Sequence, residues 1–192
     1  MTTYFGLCDA AGNPTSATAG NTGAAETDWN NAIIFTCPGT GTQVVNEISA
    51  NLKNVTNYNI RLAIFNTAGT TKLAEGTAAV AIVGAADSWQ GHIGQANITP
   101  NPANLVGGTN YIIAITSSGD TQSNHCSNVG GTDGRFNASD LTAGFGASLP
   151  AGTDAPLVFP VRAGVQAPVS GAVPPSQSSP SRRMVSWTRG TA

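Results

Sequence analysis

Charged residues and histidines are scarce in this chain of 192 residues. Only 9% of the residues are Asp, Glu, Lys or Arg, whereas an ordinary soluble domain has about 25%. Long helices need Glu, Lys, Leu and Arg on their faces, so this shortage disfavours them. With only two histidines in the chain, general bases and metal ligands are few. We therefore expect an all-β protein that is not an enzyme.

The few candidate chemical groups do not form a recognisable catalytic or metal site. His125 and Cys126 are adjacent, but neighbours on a strand point to opposite faces, and no second pair follows at zinc spacing. No Gly-x-Ser-x-Gly turn presents a serine nucleophile. The stretch from Asp133 to Asp140 lacks the alternating acids and closing glutamate of a calcium loop. We expect no catalytic residue, no metal and no other cofactor.

Cysteines and long apolar runs are also rare. The chain has three cysteines and no Cys-x-x-Cys pair, which is typical of structural thiols, although a Cys8–Cys37 bridge stays open as an alternative. The longest apolar run, residues 78–86, has nine residues and is too short to span a bilayer. No basic residue precedes Lys53, so the charged start of a signal peptide is missing. These features predict synthesis in the cytoplasm and no membrane partner.

Small residues, Thr and Asn are abundant, and they favour short strands joined by turns. The segment "NIRLAIFN" alternates cleanly, "AAVAIVGA" is typical of a fully apolar strand, and "NYIIAIT" is the strongest strand signal. Seven to nine strands at a spacing of about ten residues predict two sheets packed face to face, a jelly-roll type of β-sandwich. Pro156 and Pro160 restrict the last strand to an edge or a kinked position.

Changes in composition divide the chain into three parts. Residues 1–31 read as an N-terminal strand followed by a long loop or arm, with Trp29 as its anchor. Residues 32–164 form the predicted sandwich, which includes a long polar excursion from 120 to 155. Residues 165–192 have no hydrophobic periodicity and are predicted to form an extended C-terminal arm.

The C-terminal arm differs in charge from the body that precedes it. Residues 1–164 hold five basic and ten acidic residues, a net charge of −5, whereas residues 165–192 hold three arginines and no acid. Prolines in the arm favour an extended course. Arginines and tryptophan are strong interface anchors, which makes the following residues the predicted partner-binding set: Arg182, Arg183, Trp187 and Arg189, together with Trp29. The alternative is that the arm is an inert solvated tail. The negative charge of the body disfavours binding of nucleic acid.

The middle of the chain resembles a known group of domains. The elements that carry the resemblance are "IRLAIF", "LAE", Trp89 and "LVGGTNYIIAI". They resemble jelly-roll sandwiches related to carbohydrate-binding modules, which recur in virion proteins of tailed bacteriophages. The resemblance implies a core position for Leu105 and Tyr111, a turn at Gly107 and Gly108, and a virion location.

Together with the arm, the resemblance implies a capsid decoration or cement protein. Its expected partners are the major capsid protein or other virion subunits, and the expected assembly is a homo-oligomer, a dimer or a trimer. The alternative is a carbohydrate-binding appendage, a head fibre or tail module that recognises the host surface. In that case the glycan would meet Trp89, Gln90, His92 and Asn97, although we favour a core position for Trp89.

Overall fold

A computed structural model describes residues 1–15, 18–21, 29–54, 57–119, 122–126, 134–137, 143–149, 153–154 and 159–168. For residues 18–21, 29–32, 126, 134–137 and 153–154 it describes the backbone alone. Apart from a 3₁₀ turn at Gln95–Asn97, the regular elements in these ranges are strands. They are β1 (Thr3–Gly6), β2 (Thr18–Asn21), β3 (Trp29–Thr36), β4 (Thr42–Leu52), β5 (Asn59–Asn66), β6 (Lys72–Gly76), β7 (Val80–Ala81), β8 (Ser88–Ile93), β9 (Ile98–Thr99), β10 (Asn104–Val106), β11 (Asn110–Ser117), β12 (Gln122–Cys126), β13 (Gly134–Asn137), β14 (Thr153–Asp154) and β15 (Val161–Gln166).

The strands form two antiparallel sheets, which confirms the prediction of an all-β sandwich. Sheet 1 has five strands in the order β1–β15–β4, with β8 and β10 both pairing with the far edge of β4. Sheet 2 has eight strands in the order β14–β13–β3–β11–β5–β6–β9, with β7 also pairing with β5. A separate two-stranded ribbon joins β2 and β12.

The core lies between the two sheets and is built by the period-two alternation of the longest strands. Ile60, Leu62 and Ile64 of β5 are fully buried, as the alternation predicted. They pack in one cluster with Ile48 of β4 and Ile113 of β11. Each sheet therefore buries one face against the other, and the opposite faces are available for charged and aromatic side chains.

Strand β15 lies in the interior of its sheet, so the prediction of an edge position is wrong; the alternative of a kinked position is not contradicted, since the register with β4 shifts between Gly164 and Val165. β15 pairs with β1 on one side and with β4 on the other. Pro160 comes directly before the paired segment, and its carbonyl accepts the N–H of Asn51 at 2.9 Å. Pro160 therefore precedes the strand and takes no donor away from its ladder, whereas Pro156 lies outside the described residues.

The predicted apolar strand at residues 78–85 is largely absent. Only Val80 and Ala81 pair, with β5. Ile82 is buried, but Val83 is 65% exposed. The chain turns away from the sheet here because the backbone at Gly84 has a φ of 86°, a conformation that glycine adopts readily.

His92 is buried between the sheets as a neutral imidazole. Its Nε2 atom accepts the backbone N–H of Leu62 at 3.2 Å, and its ring packs so closely on Gly76 that a Cβ there would lie 1.9 Å away. Burial, followed by the nearby positive charge of Arg61, lowers the pKa of His92 to about 4. The protonated ring would lose the hydrogen bond from Leu62, because both ring nitrogens would then be donors.

We expect His92 to make the protein less stable as the pH falls from about 6.5 to about 4. The unfolded chain takes up the proton near the ordinary pKa of histidine, whereas the folded protein takes it up only near pH 4. The stabilising contribution of neutral His92 is therefore complete above this pH range and is lost below it. The loss is on the order of 3 kcal/mol. Urea unfolding at intervals between pH 7 and 4 measures it. His92→Gln should flatten the slope, and His125→Gln should leave the His92 contribution in place; the reverse result would contradict this assignment.

A short segment, residues 143–149, covers the outer face of sheet 2. The Phe145 ring meets Phe65 edge to face, with ring centroids 5.8 Å apart. The backbone N–H of Phe145 donates to the carboxylate of Glu75 at 2.5 Å. Lys72 donates both to that carboxylate and to the Phe145 carbonyl. A second buried cluster thus forms outside the sandwich core.

Removing the Phe145 ring should destabilise the protein because it empties this second cluster. We expect Phe145→Ala to lower the free energy of unfolding by about 3–5 kcal/mol, as measured by urea denaturation. Ser148→Ala is the matched control in the same segment, and its exposed side chain should change stability by less than about 0.5 kcal/mol. Equal, small effects from both variants would show that the segment does not contribute through packing.

Candidate functional site: the root of the C-terminal arm

The predicted arm continues from β15, and the end of this strand is tied to the start of the chain. β1 runs antiparallel to β15, with Thr3 opposite Val165. Asn46 is an extra residue in β4, between the residues that pair with Gly164 and Val165. Its Nδ2 atom donates to Thr2 Oγ1 at 2.8 Å and to Gln166 Oε1 at 3.5 Å. A β-bulge in β4 is therefore linked both to β15 and to the residue before β1 at the point where the arm begins.

Arg162, in the same strand, forms a buried ion pair on the outer face of sheet 1. Its Nη2 and Nε atoms lie 2.7 Å and 2.8 Å from Glu47 Oε1 on β4. The Ser49 hydroxyl donates to the same carboxylate oxygen at 2.6 Å. The side chains of Arg162 and Glu47 are only 11% and 9% exposed. Such a pair is shielded from salt far better than a surface pair.

Two aromatic rings enclose the Arg162 guanidinium. Its central carbon lies 4.2 Å from the ring centroid of Tyr4 on β1 and 4.2 Å from that of Trp89 on β8. Its Nη1 atom also donates to the carbonyl oxygen of Gly12 in the loop after β1. One side chain therefore contacts every neighbour of β15 on this face, through charge, hydrogen bonds and cation–π contacts.

Glycines allow close approach at two places, Gly12 beside the Arg162 guanidinium and Gly91 where β8 meets β4. A Cβ on Gly12 would lie 2.6 Å from Nη1 of Arg162 and 2.9 Å from the Tyr4 ring, so the loop could not approach with a larger residue. A Cβ on Gly91 of β8 would lie 2.5 Å from the carbonyl oxygen of Ile48, and its φ is 151°. Both positions require glycine for conformation and for close contact.

The described cysteine thiols are free and are not activated. Cys8 lies in the loop next to this cluster, and Cys37 is fully buried at the end of β3. Burial raises the pKa of each thiol to about 11, although the positive charge of Arg162 partly offsets the effect at Cys8. Both therefore remain protonated at neutral pH and are poor nucleophiles.

The structure does not bring the four residues of the glycan hypothesis together. Trp89 is half-buried on the outer face of sheet 1, not in the core as we expected, because β8 turns it toward Arg162. His92 points the opposite way, into the sandwich. Gln90 accepts the N–H of Val83 and donates to the Leu52 carbonyl. Asn97 lies in the 3₁₀ turn, where its side chain donates to the Ile93 carbonyl at 2.7 Å.

Most of the predicted partner-binding residues lie outside the described part of the chain. Arg182, Arg183, Trp187 and Arg189 all belong to this group. Trp29 is the first residue of β3, where its backbone pairs with Asn137 of β13. Within the described ranges, no three His, Cys, Asp or Glu side chains are grouped as metal ligands. No helix of those ranges is long and apolar enough to cross a bilayer.

Sequence reasoning missed the Arg162 cluster, although a local signal exists. Arg162 and Glu47 are isolated charges inside otherwise uncharged strands, "VRAGV" and "VVNEISA". In a chain with so few charges, two opposite charges in strands of one sheet favour pairing. In comparisons with known proteins, no family model, no curated protein and no solved structure matches this chain.

Breaking the Arg162–Glu47 pair from either side should destabilise the protein strongly. Glu47→Leu leaves the buried guanidinium without a counter-charge, and Arg162→Met leaves the buried carboxylate without one. We expect each to cost about 3–5 kcal/mol in urea unfolding.

The combined variant Arg162→Met/Glu47→Leu leaves no buried charge at this place. It should therefore cost much less than the sum of the single changes. Lys53→Met, at a side chain that bonds Asn124 in an exposed position, is the control and should cost under about 1 kcal/mol. Strict additivity of the two single changes would contradict a coupled pair.

Proposed function

We propose that this protein is a non-enzymatic structural protein of a tailed-phage virion, a decoration or cement protein that bridges capsid subunits with its C-terminal arm. The observation that supports the proposal most directly is the position of β15. The arm follows a strand that is hydrogen-bonded on both sides. An arm that binds a neighbouring subunit must be attached to a firmly held strand, because any force on the arm acts first on the strand that carries it.

The chemistry of the arm suits a protein partner. Its arginines can form forked hydrogen bonds with carboxylates, and Trp187 can fill a pocket on the neighbour. An extended, proline-containing segment also loses little conformational entropy when it binds. We propose that the arm lies on the major capsid protein or another virion subunit, and that a dimer or trimer of the sandwich repeats each contact by symmetry.

Carbohydrate recognition is the second candidate, and Trp89 is the residue that favours it. The Trp89 ring lies on an outer sheet face beside Arg162, and aromatic and polar groups together are what a saccharide site requires. However, the residues that the hypothesis groups with Trp89 do not lie beside it, since His92 is only 2% exposed and lies within the sandwich. A glycan array on the intact protein tests this candidate, which requires binding that Trp89→Ala abolishes without unfolding the sandwich.

Deletion of residues 170–192 tests the cement proposal. The truncation leaves the described sandwich intact, and we expect it to abolish binding to phage particles that lack the protein, measured as copies bound per particle. The particles should also lose any gain in heat resistance that the full chain gives. Arg182→Glu/Arg183→Glu/Arg189→Glu is the finer variant and should reduce occupancy without changing the stability of the sandwich. Full occupancy by the truncated protein would remove the arm from the mechanism.

A further inference from the structure

We propose that Arg162 and the strands on either side of β15 form a mechanical clamp, which resists a force applied to the arm along the axis of β15. The biological use of the clamp rests on the proposed function. The clamp itself is a property of the isolated protein, so it can be tested without any virion.

The first element of the clamp is the double hydrogen bonding of β15. Residues Arg162 to Val165 pair with β1, and residues Val161 to Gln166 pair with β4. Hydrogen bonds of antiparallel strands are perpendicular to the strand axis. A force along β15 therefore strains the bonds of both ladders at once, whereas a force across the strand opens them one after another.

The direction of the force depends on the second point of attachment. Thr3 lies opposite Val165, so a pull between Met1 and the arm would separate β1 from β15 pair by pair from that end. The opposite end of sheet 1 is marked by Leu52, which pairs with Ser88. There the N–H of Asn54 donates to the Gly84 carbonyl at 2.7 Å. A pull between the exposed loop at residues 83–86 and the arm therefore acts along β15 in shear.

The second element is the side chain of Arg162, which prevents β15 from sliding. Side chains of a strand alternate between faces, so the shortest slip that keeps Arg162 on the outer face is two residues, about 6.6–6.8 Å. That movement would carry the guanidinium away from Glu47 and from both rings, which it now contacts directly. Sliding must therefore break a buried ion pair and two cation–π contacts before β15 can pair again.

Single-molecule pulling at constant force on the full chain tests the clamp. One handle is fixed at the C-terminus, and the other is placed either on a click-chemistry residue at Ala85 or at Met1. Neither attachment alters a cysteine. We expect the shear geometry, with the handle at Ala85, to survive much longer at a given force than the peeling geometry, with the handle at Met1.

Arg162→Lys separates the clamp from general stability, because lysine keeps the charge but loses the forked geometry and the stacked guanidinium. In shear, we expect the unfolding rate under force to rise about tenfold, equivalent to about 1.4 kcal/mol, with a much smaller change in the peeling geometry. Ser49→Ala is a milder second variant, in case the lysine protein folds poorly. It removes only the hydroxyl that donates to Glu47 and should accelerate rupture in the same geometry.

Arg61→Lys is the matched control. Arg61 also forms a buried ion pair, with Glu75 at 3.1 Å, but on the outer face of sheet 2 and away from β15. It should change equilibrium stability while leaving the shear lifetime nearly unchanged.

Equal lifetimes in the two geometries would overturn the clamp, as would equal effects of the Arg61 and Arg162 variants on shear. The two proposals can fail separately. If the pulling experiments support the clamp but the truncated protein still binds phage particles at full occupancy, only the proposed function is wrong.

Discussion

The buried ion pair between Arg162 and Glu47 is the contact on which the arrangement of sheet 1 depends. Charge is rare in this chain, yet this pair is placed where water is largely excluded. Desolvating two charges is expensive unless their geometry is good and their other bonds are made. Here the carboxylate also receives Ser49, and the guanidinium also reaches Gly12 and two rings. Because those partners come from different segments, the pair fixes one register and one loop position for all of them.

Much of the fold could be predicted from local patterns. The alternation of Ile60, Leu62 and Ile64 correctly assigned their common buried face, and the apolar run from Tyr111 to Thr116 correctly identified the strand β11. Leu105 and Tyr111 are buried as expected, and the turn at Gly108 has the positive φ that glycine favours. These features depend on residues near one another in sequence, so a period of two is sufficient to identify them.

The parts that failed depend on contacts between distant segments. Pro160 suggested an edge strand, but a proline before the first paired residue takes no donor from the ladder, and local sequence does not reveal where pairing starts. A tryptophan such as Trp89 is typical both of a core and of a glycan-binding site. Only the pairing of β8 with β4 brings its ring to Arg162 of β15. The arm was predicted from charge and proline content, and its role remains a prediction.

The interior place of β15 also has a consequence for synthesis on the ribosome. Sheet 1 needs β1, β4 and β15 together, yet 108 residues lie between the end of β4 at Leu52 and the start of β15 at Val161. Until that last strand emerges, β1 has no partner in sheet 1 and one edge of β4 stays open. An open edge can pair with another nascent chain, and pairings so distant in sequence form slowly.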